Sequence, residues 1–548
     1  MRHKRRGIWH SITWGEFLER SRAIGLALKR LGLEPGEVVS ILSESRPEWL
    51  YVDMAAQAMG FPSHGIHPTD PVRRVNAQLA LAQTRAVFVE DAAQAAKVLA
   101  PSTAVPHLPH LRHVIVFDDR GLREVHDPRL VSLSALMATG DGATSIFESR
   151  VLAGGEDGIG WLAATTGSMG EPRIAAFTQS AVLRQGQATR AATGAVDGDR
   201  TLCFASLAHA AERVLAAVLP VLGESVVHFP ESPATVLNDL REVEPHWVHA
   251  PPRFWEKLRA RTESTALLTP ARERALYRRS VDSGAADWLA RAARRHVRAS
   301  LGLTRARRVF SGGALASPSL AGWYASIGSP LVDLYESAET CGVCLLDAAT
   351  ARLSANGELL VRPAALLAGY WVGGERMAPP QLTEDGWLRT GDLATRDPSG
   401  VLRVSGRLSA ASATSAVAPD DGFAQDAVEA ALLDSSYIAS AMLVGQDIGH
   451  CACLVELDEE SVLNYAQSAG IPFSDYASLM AKPEVHALVQ ERIDEVNAGL
   501  APSKRIVRFV VLPRRLSTQD GELTATLRIQ REAVRRSFAR QIDSLLTA

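Results

Sequence analysis

Five short stretches carry side chains whose types and spacing suit chemistry on a nucleotide-like ligand. Thr165-Thr-Gly-Ser-Met-Gly-Glu-Pro-Arg173 follows the apolar run Ile159–Ala164. Its small residues let the backbone turn tightly enough for N–H groups to face a phosphate. Thr165, Thr166 and Ser168 add hydroxyl donors around Gly167, and Arg173 adds positive charge. Ser311-Gly-Gly-Ala-Leu315, after Val309-Phe310, offers at Gly312, Gly313 and Ala314 a turn so bare that a flat ring can lie against it. Asp333-Leu-Tyr-Glu-Ser-Ala-Glu339 supplies the aromatic face of Tyr335 and, at Glu339, a carboxylate suited to Mg²⁺. Gly386-Trp-Leu-Arg-Thr-Gly-Asp392 sets an aspartate beside glycines, with Gly406-Arg407 downstream. Such an aspartate can accept both hydroxyls of a ribose, and the arginine can contact sugar or phosphate. The last stretch, Asp520-Gly-Glu-Leu-Thr-Ala-Thr-Leu-Arg528-Ile-Gln-Arg531, lies near the end. Taken singly, each is also the composition of a turn, a strand end or an exposed loop.

Holding such loops requires regular elements, and the first hundred residues alternate helix and strand. Phe17, Ile24, Leu28 and Leu31 recur at helical spacing, and Gly32 and Pro35-Gly36 end that helix. Val38–Leu42 reads as a buried strand, Pro47 starts the next helix and Gly60 ends it. Ala86–Val89 and Val114–Phe117 are further apolar strands. This order predicts an α/β fold of parallel sheets covered by helices. Between Leu402 and Gly422 the composition turns to Ser, Ala, Thr, Gly and Asp, the expected domain joint. A large unit, 1–406, and a smaller α/β unit, 407–548, are expected, the latter with helices near Asp426–Leu433 and Val485–Leu500 and a strand at Ile506–Leu512.

The 548 residues carry a formal net charge of −3, which gives nucleic acid no basic field to bind. The basic cluster Arg2-His3-Lys4-Arg5-Arg6 precedes no apolar leader core and reads as a surface strand or loop. No apolar run is long enough to span a bilayer, so the expectation is a cytoplasmic protein with no membrane partner. The five cysteines are an odd number in a large charged chain, which argues against a disulfide framework. Cys341 and Cys344 have the spacing of a zinc pair, but Cys451-Ala-Cys453 completes it poorly, and buried small side chains are the simpler reading.

In their order and spacing the five stretches resemble the motif series of the adenylate-forming superfamily: acyl-CoA synthetases, luciferases and peptide-synthetase adenylation domains. The resemblance covers essentially the whole chain. It is strongest to the long-chain, bubblegum-like acyl-CoA synthetases, through Arg5–Trp14, Ser45–Tyr51, His209-Ala-Ala-Glu-Arg213, Pro252–Lys257 and Gly521–Thr524. It implies an adenylate-forming fold, with a large N-terminal domain of layered sheets and helices and a small mobile C-terminal lid. It also implies a two-step reaction, in which a carboxylate attacks ATP to give acyl-adenylate and CoA then takes the acyl group. By position, it places adenine at Gly312, Gly313, Ala314 and Tyr335, and ribose at Asp392 with Arg407. The phosphates go to Thr165, Thr166, Gly167, Ser168 and Arg173, with Glu336, Ser337 and Ala338 in the adjoining nucleotide motif. Glu339 takes Mg²⁺, His209 and Trp255 line the acyl channel, and His209 is also a catalytic candidate.

This sequence departs from the family pattern in a consistent direction. The phosphate loop, normally Pro-Lys-Gly, ends Pro172-Arg173-Ile174. Tyr-Gly-x-Thr-Glu becomes Tyr335-Glu-Ser-Ala-Glu339, so Glu336 replaces a glycine and Ala338 a hydroxyl. The hinge Gly-Arg-x-Lys-Asp/Glu becomes Gly406-Arg-Leu-Ser-Ala410, and Ala411–Pro419 lacks the glycines that flank the CoA path. Arg528 stands where the family has its catalytic lysine, and arginine is a poor substitute at a tight charge-positioning site. The losses fall on the triphosphate machinery, while the residues for the AMP moiety remain. The chain thus resembles the non-adenylating acyl-CoA ligases of platensimycin and platencin biosynthesis, which receive their adenylate from a separate ligase. The expected ligands are an acyl-adenylate and CoA, with use of ATP and Mg²⁺ left open.

Overall fold

The apolar strands read from the sequence come together in one nine-stranded sheet of the computed structural model. The structure describes residues 1–99, 108–139, 144–165, 173–223, 225–268, 270–282, 287–344, 346–347, 349–373, 376–396, 400, 402–407, 425–435, 437–445, 451–523 and 529–547. Val39–Leu42 lies between Ser63–Ile66 and Ala86–Val89, all parallel, and His113–Val116 and Leu130–Ser132 extend that side in parallel. Ile159–Ala164 joins the other side in parallel and pairs antiparallel with Ile174–Thr178. Strands Val39–Leu42 and Ala86–Val89 are buried at every position, as expected of a sheet covered on both faces. The first long helix, Trp14–Arg30, starts on a capping box between Thr13 and Glu16 and buries Phe17, Ile24 and Leu28.

The basic N-terminal cluster corrects its surface reading in part. Arg2–Arg5 is a strand paired with Ile8–Ser11 and Val226–Phe229. Within it Lys4 is buried, and its ammonium donates to Asp239 and Glu242 at 2.7 Å each. A buried ammonium needs such partners, and they lie on a distant helix, Val236–Val243.

A second sheet carries the site: Trp247–Ala250, Arg308–Gly312 and Leu331–Ser337 run parallel, with Gly342–Cys344 antiparallel at the end. A third runs Ala351–Leu353, Glu358–Val361, Leu388–Arg396 and Leu402–Arg407, antiparallel throughout. Beyond residue 425, Ile438–Val444, Cys451–Leu457 and Ile506–Val511 form their own sheet with helices Gln425–Leu432, Glu459–Ala469 and Pro483–Ala498. Its apolar clusters draw only on residues after 427. Cys451 and Cys453 lie in that core and Cys341 in the core around Trp161. Among the described residues no group of three or more His, Cys, Asp or Glu is placed to hold a metal. Among them too, no helix is long and apolar enough to cross a membrane.

The stretch 408–424, where the joint is expected, lies outside the described residues. Limited proteolysis is expected to cut near Gly406–Ser409 and release a resistant C-terminal piece of about the last 140 residues, a size within the usual domain range. Fragments that instead split the first 400 residues into stable parts would contradict this division.

Candidate active site

The strand Arg308–Gly312 ends in the turn Gly312-Gly313-Ala314, and Gly313 has a φ of +79° that disfavours any larger residue. Asp333 on the neighbouring strand accepts from Ala316 N–H at 3.2 Å and closes this loop. Two residues on, the Tyr335 hydroxyl donates to Asp392 at 2.7 Å. Burial, with the Asp392 carboxylate alongside, pushes the Tyr335 phenol well above its usual range. Adenine-facing and ribose-facing residues of the expected set are therefore in direct contact. Arg407 stands opposite Asp392 in the antiparallel pair Leu388–Arg396 with Leu402–Arg407.

The Asp392 turn rests on a residue the sequence reading missed. Glu358, buried, accepts from Arg389 Nε and from Gly391 N–H, both at 3.1 Å. Thr390 donates to Leu359 O at 2.7 Å and accepts from Asp392 N–H at 3.0 Å. The available signal was an acidic residue opening the core run Glu358-Leu-Leu-Val361, where a charge survives only with partners.

Thr166, Gly167 and Ser168 lie outside the described residues, but both ends of their loop are placed. Thr165 N–H donates to Arg173 O at 2.7 Å, and Arg173 N–H to Thr165 Oγ1 at 3.1 Å, so the loop leaves and re-enters one hairpin. The Arg173 guanidinium lies 3.3 Å from the centre of the Tyr370 ring, and the Tyr370 hydroxyl is 3.4 Å from Glu339 Oε1. This gathers a cation, an aromatic ring and the candidate magnesium carboxylate. One carboxylate oxygen beside the ends of the candidate phosphate loop fits Mg²⁺, which commonly takes one or two protein carboxylates and fills its shell with phosphate and water. Ser337 accepts from Thr340 N–H at 3.2 Å and caps the short turn Ala338–Thr340, which holds Glu339 in place.

His209 begins the helical segment Ala210–Gly223, and its ring packs edge-on against His67 with centroids 4.4 Å apart. The segment is α-helical at Ala210–Arg213, π-helical at Val214–Val218 and α-helical again at Leu219–Gly223. Arg213 anchors it through Asp53 and Ser63, with its guanidinium 4.0 Å from the Trp161 ring centre. On the same turn Glu212 reaches His249 Nδ1 at 3.0 Å, and His249 Nε2 faces Glu336 Oε1 at 2.6 Å. The second pair is a close ion contact. Burial alone would lower the His249 pKa; the carboxylates of Glu336 and Glu212 outweigh it and raise the value to about 10. Glu212 and His249 were not expected as site residues, although a histidine within the apolar strand Trp247-Val-His-Ala250 is the kind of signal that finds them. Trp255 is wholly buried, and its indole N–H donates to the Ala250 and Phe310 carbonyls at 3.1 Å each. It thus braces the strands that carry His249 and Gly312.

Replacing His249 with alanine leaves the buried Glu212 and the part-buried Glu336 with their shared cation gone, an expected loss of about 3–5 kcal/mol. A Glu336→Gly change in the same background should return part of it. The pH dependence has a defined sign. The folded imidazole titrates near 10, above the unfolded value of about 6.5. Its stabilising contribution is full below the unfolded value and is lost as pH rises towards the folded one. Unfolding curves of wild type and variants between neutral and alkaline pH check both statements, and a His249→Ala protein as stable as wild type would contradict them.

Residues 3–364, which include the Gly312 turn, Tyr335 and Glu339 but not Tyr370 or Asp392, match the AMP-binding enzyme family. The chain belongs to that family. Its relatives include the long-chain-fatty-acid–CoA ligase FadD15 of Mycobacterium bovis, 26% identical over 98% of this chain and 93% of the relative. The long-chain-fatty-acid–CoA ligase heimdall of Drosophila melanogaster is 24% identical over 98% and 90%. Among solved structures, the adenylation domain of a carboxylate reductase from Mycobacterium chelonae covers 98% of this chain and 85% of its own, with a TM-score of 0.74 and 20% identity. The o-succinylbenzoate-CoA synthetase of Bacillus subtilis, solved with its acyl-adenylate, covers 96% and 93% with a TM-score of 0.62 and 16% identity. The layered α/β architecture is thus the adenylate-forming fold.

In this AMP-binding enzyme Arg528, which the resemblance sets at the position of the family's catalytic lysine, lies outside the described residues, but the ends of its loop do not. Leu523 bridges Ile529, and Gln530 N–H donates to Glu522 O at 2.7 Å. The buried Glu522 takes Arg514 at 2.8 and 2.5 Å. The C-terminal unit touches the large one where Ser317 donates to Asp434 at 2.6 Å, just past the Gly312 turn.

Proposed function

We propose that this chain forms an acyl-CoA thioester from an acyl-adenylate, with the ATP-dependent adenylation step impaired. The observation that carries the reading is a split within the site. The Tyr335–Asp392 pair, which suits an AMP moiety, is intact and in contact, and the glycine turn Gly312–Ala314 follows its strand as expected. The phosphate-loop arginine, by contrast, rests on the Tyr370 ring where the family has a lysine. Ala338 brings no hydroxyl, and Arg528 replaces the lysine that bridges carboxylate and α-phosphate.

In the step retained, the CoA sulfur bonds to the acyl carbon, the bond from that carbon to the phosphate oxygen breaks, and AMP leaves with the electron pair. The thiol proton passes to solvent. Asp392 and Tyr335 hold the adenosine and orient the acyl carbon towards the His209 end of the helix Ala210–Arg213. Residues 407–548 act as a lid that turns about the hinge between the two steps. If ATP is used at all, Glu339 would hold Mg²⁺, which neutralises phosphate charge. The acyl-adenylate comes from a separate adenylating ligase in the cytoplasm, as in the platensimycin-type pathways the sequence resembles, and the acid is long or bulky.

A complete ATP-dependent ligase is the competing reading, favoured by relatives that are named as long-chain-fatty-acid–CoA ligases. Two assays separate them. Acid with ATP, Mg²⁺ and CoA should give little acyl-CoA, while synthetic acyl-adenylate with CoA should give much. Rapid pyrophosphate release from a matching acid would favour the complete ligase. Thioester from no supplied adenylate would leave a binding protein. Calorimetry should also find AMP bound more tightly than ATP; the reverse order would overturn the reading.

A further inference from the structure

We infer that Glu336 selects the acid: its carboxylate receives a hydrogen-bond-donating group, best a cationic amine, on the acyl part, and disfavours a bare hydrocarbon chain. This rests on the acyl-adenylate reading and names the substrate class for the same site.

The first support is position. Glu336 stands where the family pattern has glycine, and its side chain crosses the face of Gly312. A Cβ on Gly312 would overlap both the Glu336 carboxylate and His249 Nε2. The two residues therefore share one space: the volume a bare glycine leaves beside the turn is filled by a carboxylate. Glu336 Oε2 also lies 3.8 Å from where a Cβ of Gly313 would stand, so the group runs along the whole turn.

The second support is the clamp. Glu212 lies one helical turn beyond His209, and it holds His249, which holds Glu336. The row Glu212–His249–Glu336 thus bridges the interval between the helix that starts at His209 and the Gly312 turn. Any acyl group running from the adenosine turn towards His209 passes this row.

The third is charge. One imidazolium sits between two carboxylates, so the row carries an excess of negative charge. The 2.6 Å contact with His249 engages Glu336 Oε1, while Oε2 lies on the Gly313 side of the turn. A hydrocarbon laid on this carboxylate removes water and returns no hydrogen bond, which is unfavourable. An ammonium or hydroxyl supplies a donor to the carboxylate, and an ammonium also offsets the charge.

The test uses sulfamoyl-adenosine analogues that share one adenosine head and carry dodecanoyl, benzoyl or each of the three aminomethylbenzoyl groups. Calorimetry gives their affinities, with AMP measured alongside on every protein. Wild type should bind the best aminomethylbenzoyl analogue at least about tenfold tighter than benzoyl and dodecanoyl, the scale of one charge-assisted hydrogen bond. Glu336→Gln, which keeps the shape, should shrink that ratio to within about threefold, and Glu336→Gly should reverse it in favour of dodecanoyl. Because the readout is a ratio within one protein, a variant with weakened folding still reports. Equal binding of dodecanoyl by wild type, or an unchanged ratio in Glu336→Gln, overturns the assignment while AMP binding stands. A wild type that binds neither AMP nor any analogue overturns the acyl-adenylate reading and this assignment together.

Discussion

Asp392→Ala should weaken binding of AMP by about 100-fold or more. A carboxylate that accepts both hydroxyls of a ribose makes two charge-assisted hydrogen bonds, each worth about 1.5–3 kcal/mol, and every 1.4 kcal/mol is about tenfold in affinity. The loss has a second component: the Tyr335 hydroxyl, buried, gives up the acceptor it holds at 2.7 Å. Asp392→Asn keeps an acceptor oxygen and should fall between. Tyr335→Phe removes only the bond between the two side chains and leaves the ring face, so its effect should stay within about tenfold. Calorimetric titration of the four proteins with AMP orders them. A pocket in which Asp392→Ala binds AMP like wild type would place the ribose elsewhere.

Arg528→Lys should recover part of the adenylation step, raising pyrophosphate release from acid and ATP while leaving thioester formation from supplied acyl-adenylate nearly unchanged. One well-placed donor to developing charge is worth about 10²–10³ in rate. The guanidinium carries the charge in a planar fork where a compact ammonium on a flexible stem is wanted. The effect is expected in one step alone because the resemblance to adenylate-forming enzymes implies that the loop with that position faces the site only for adenylation. Recovery should stop well short of the full factor, since Arg173, Ile174, Glu336 and Ala338 also depart from the pattern and such residues act as a unit. Pyrophosphate and acyl-CoA measured side by side, for both proteins, decide it. Equal gains in both steps would sink the conformational explanation.

Much of the fold was legible because its signals are local. Periodic apolar residues and end caps placed Trp14–Arg30 and Ala86–Val89, and Pro47 opens its helix at the first turn as read. The C-terminal helices and last strand fall within two residues of their expected bounds, at Gln425–Leu432, Pro483–Ala498 and Ile506–Val511. What stayed hidden depends on partners far along the chain. Lys4 looked like surface charge because Asp239 lies 235 residues away. Glu336 was legible as a substituted glycine, but not that His249 would clamp it, since the contact needs three parallel strands to align, with Arg308–Gly312 between the two residues. Glu358 showed only as an acid opening an apolar run; its importance lies in the distant backbone turn it supports.

The π-helical stretch Val214–Val218 gives this site an unusual vulnerability to deletion. Such a stretch amounts to an extra residue wound into an α-helix, and each residue of an α-helix turns the chain by about 100°. Removing Ala217, the one residue of the stretch that is not fully buried, would leave a regular helix and spare Val214, Leu215, Ala216, Val218 and the family motifs. It would nevertheless rotate Ala210–Arg213 against Leu219–Gly223, so that Glu212 and Arg213 could not keep His249 and Asp53 while the later turns kept their packing. In a comparison of chains by length alone, a gap of one residue at this point separates sites that can hold the buried row from sites that cannot.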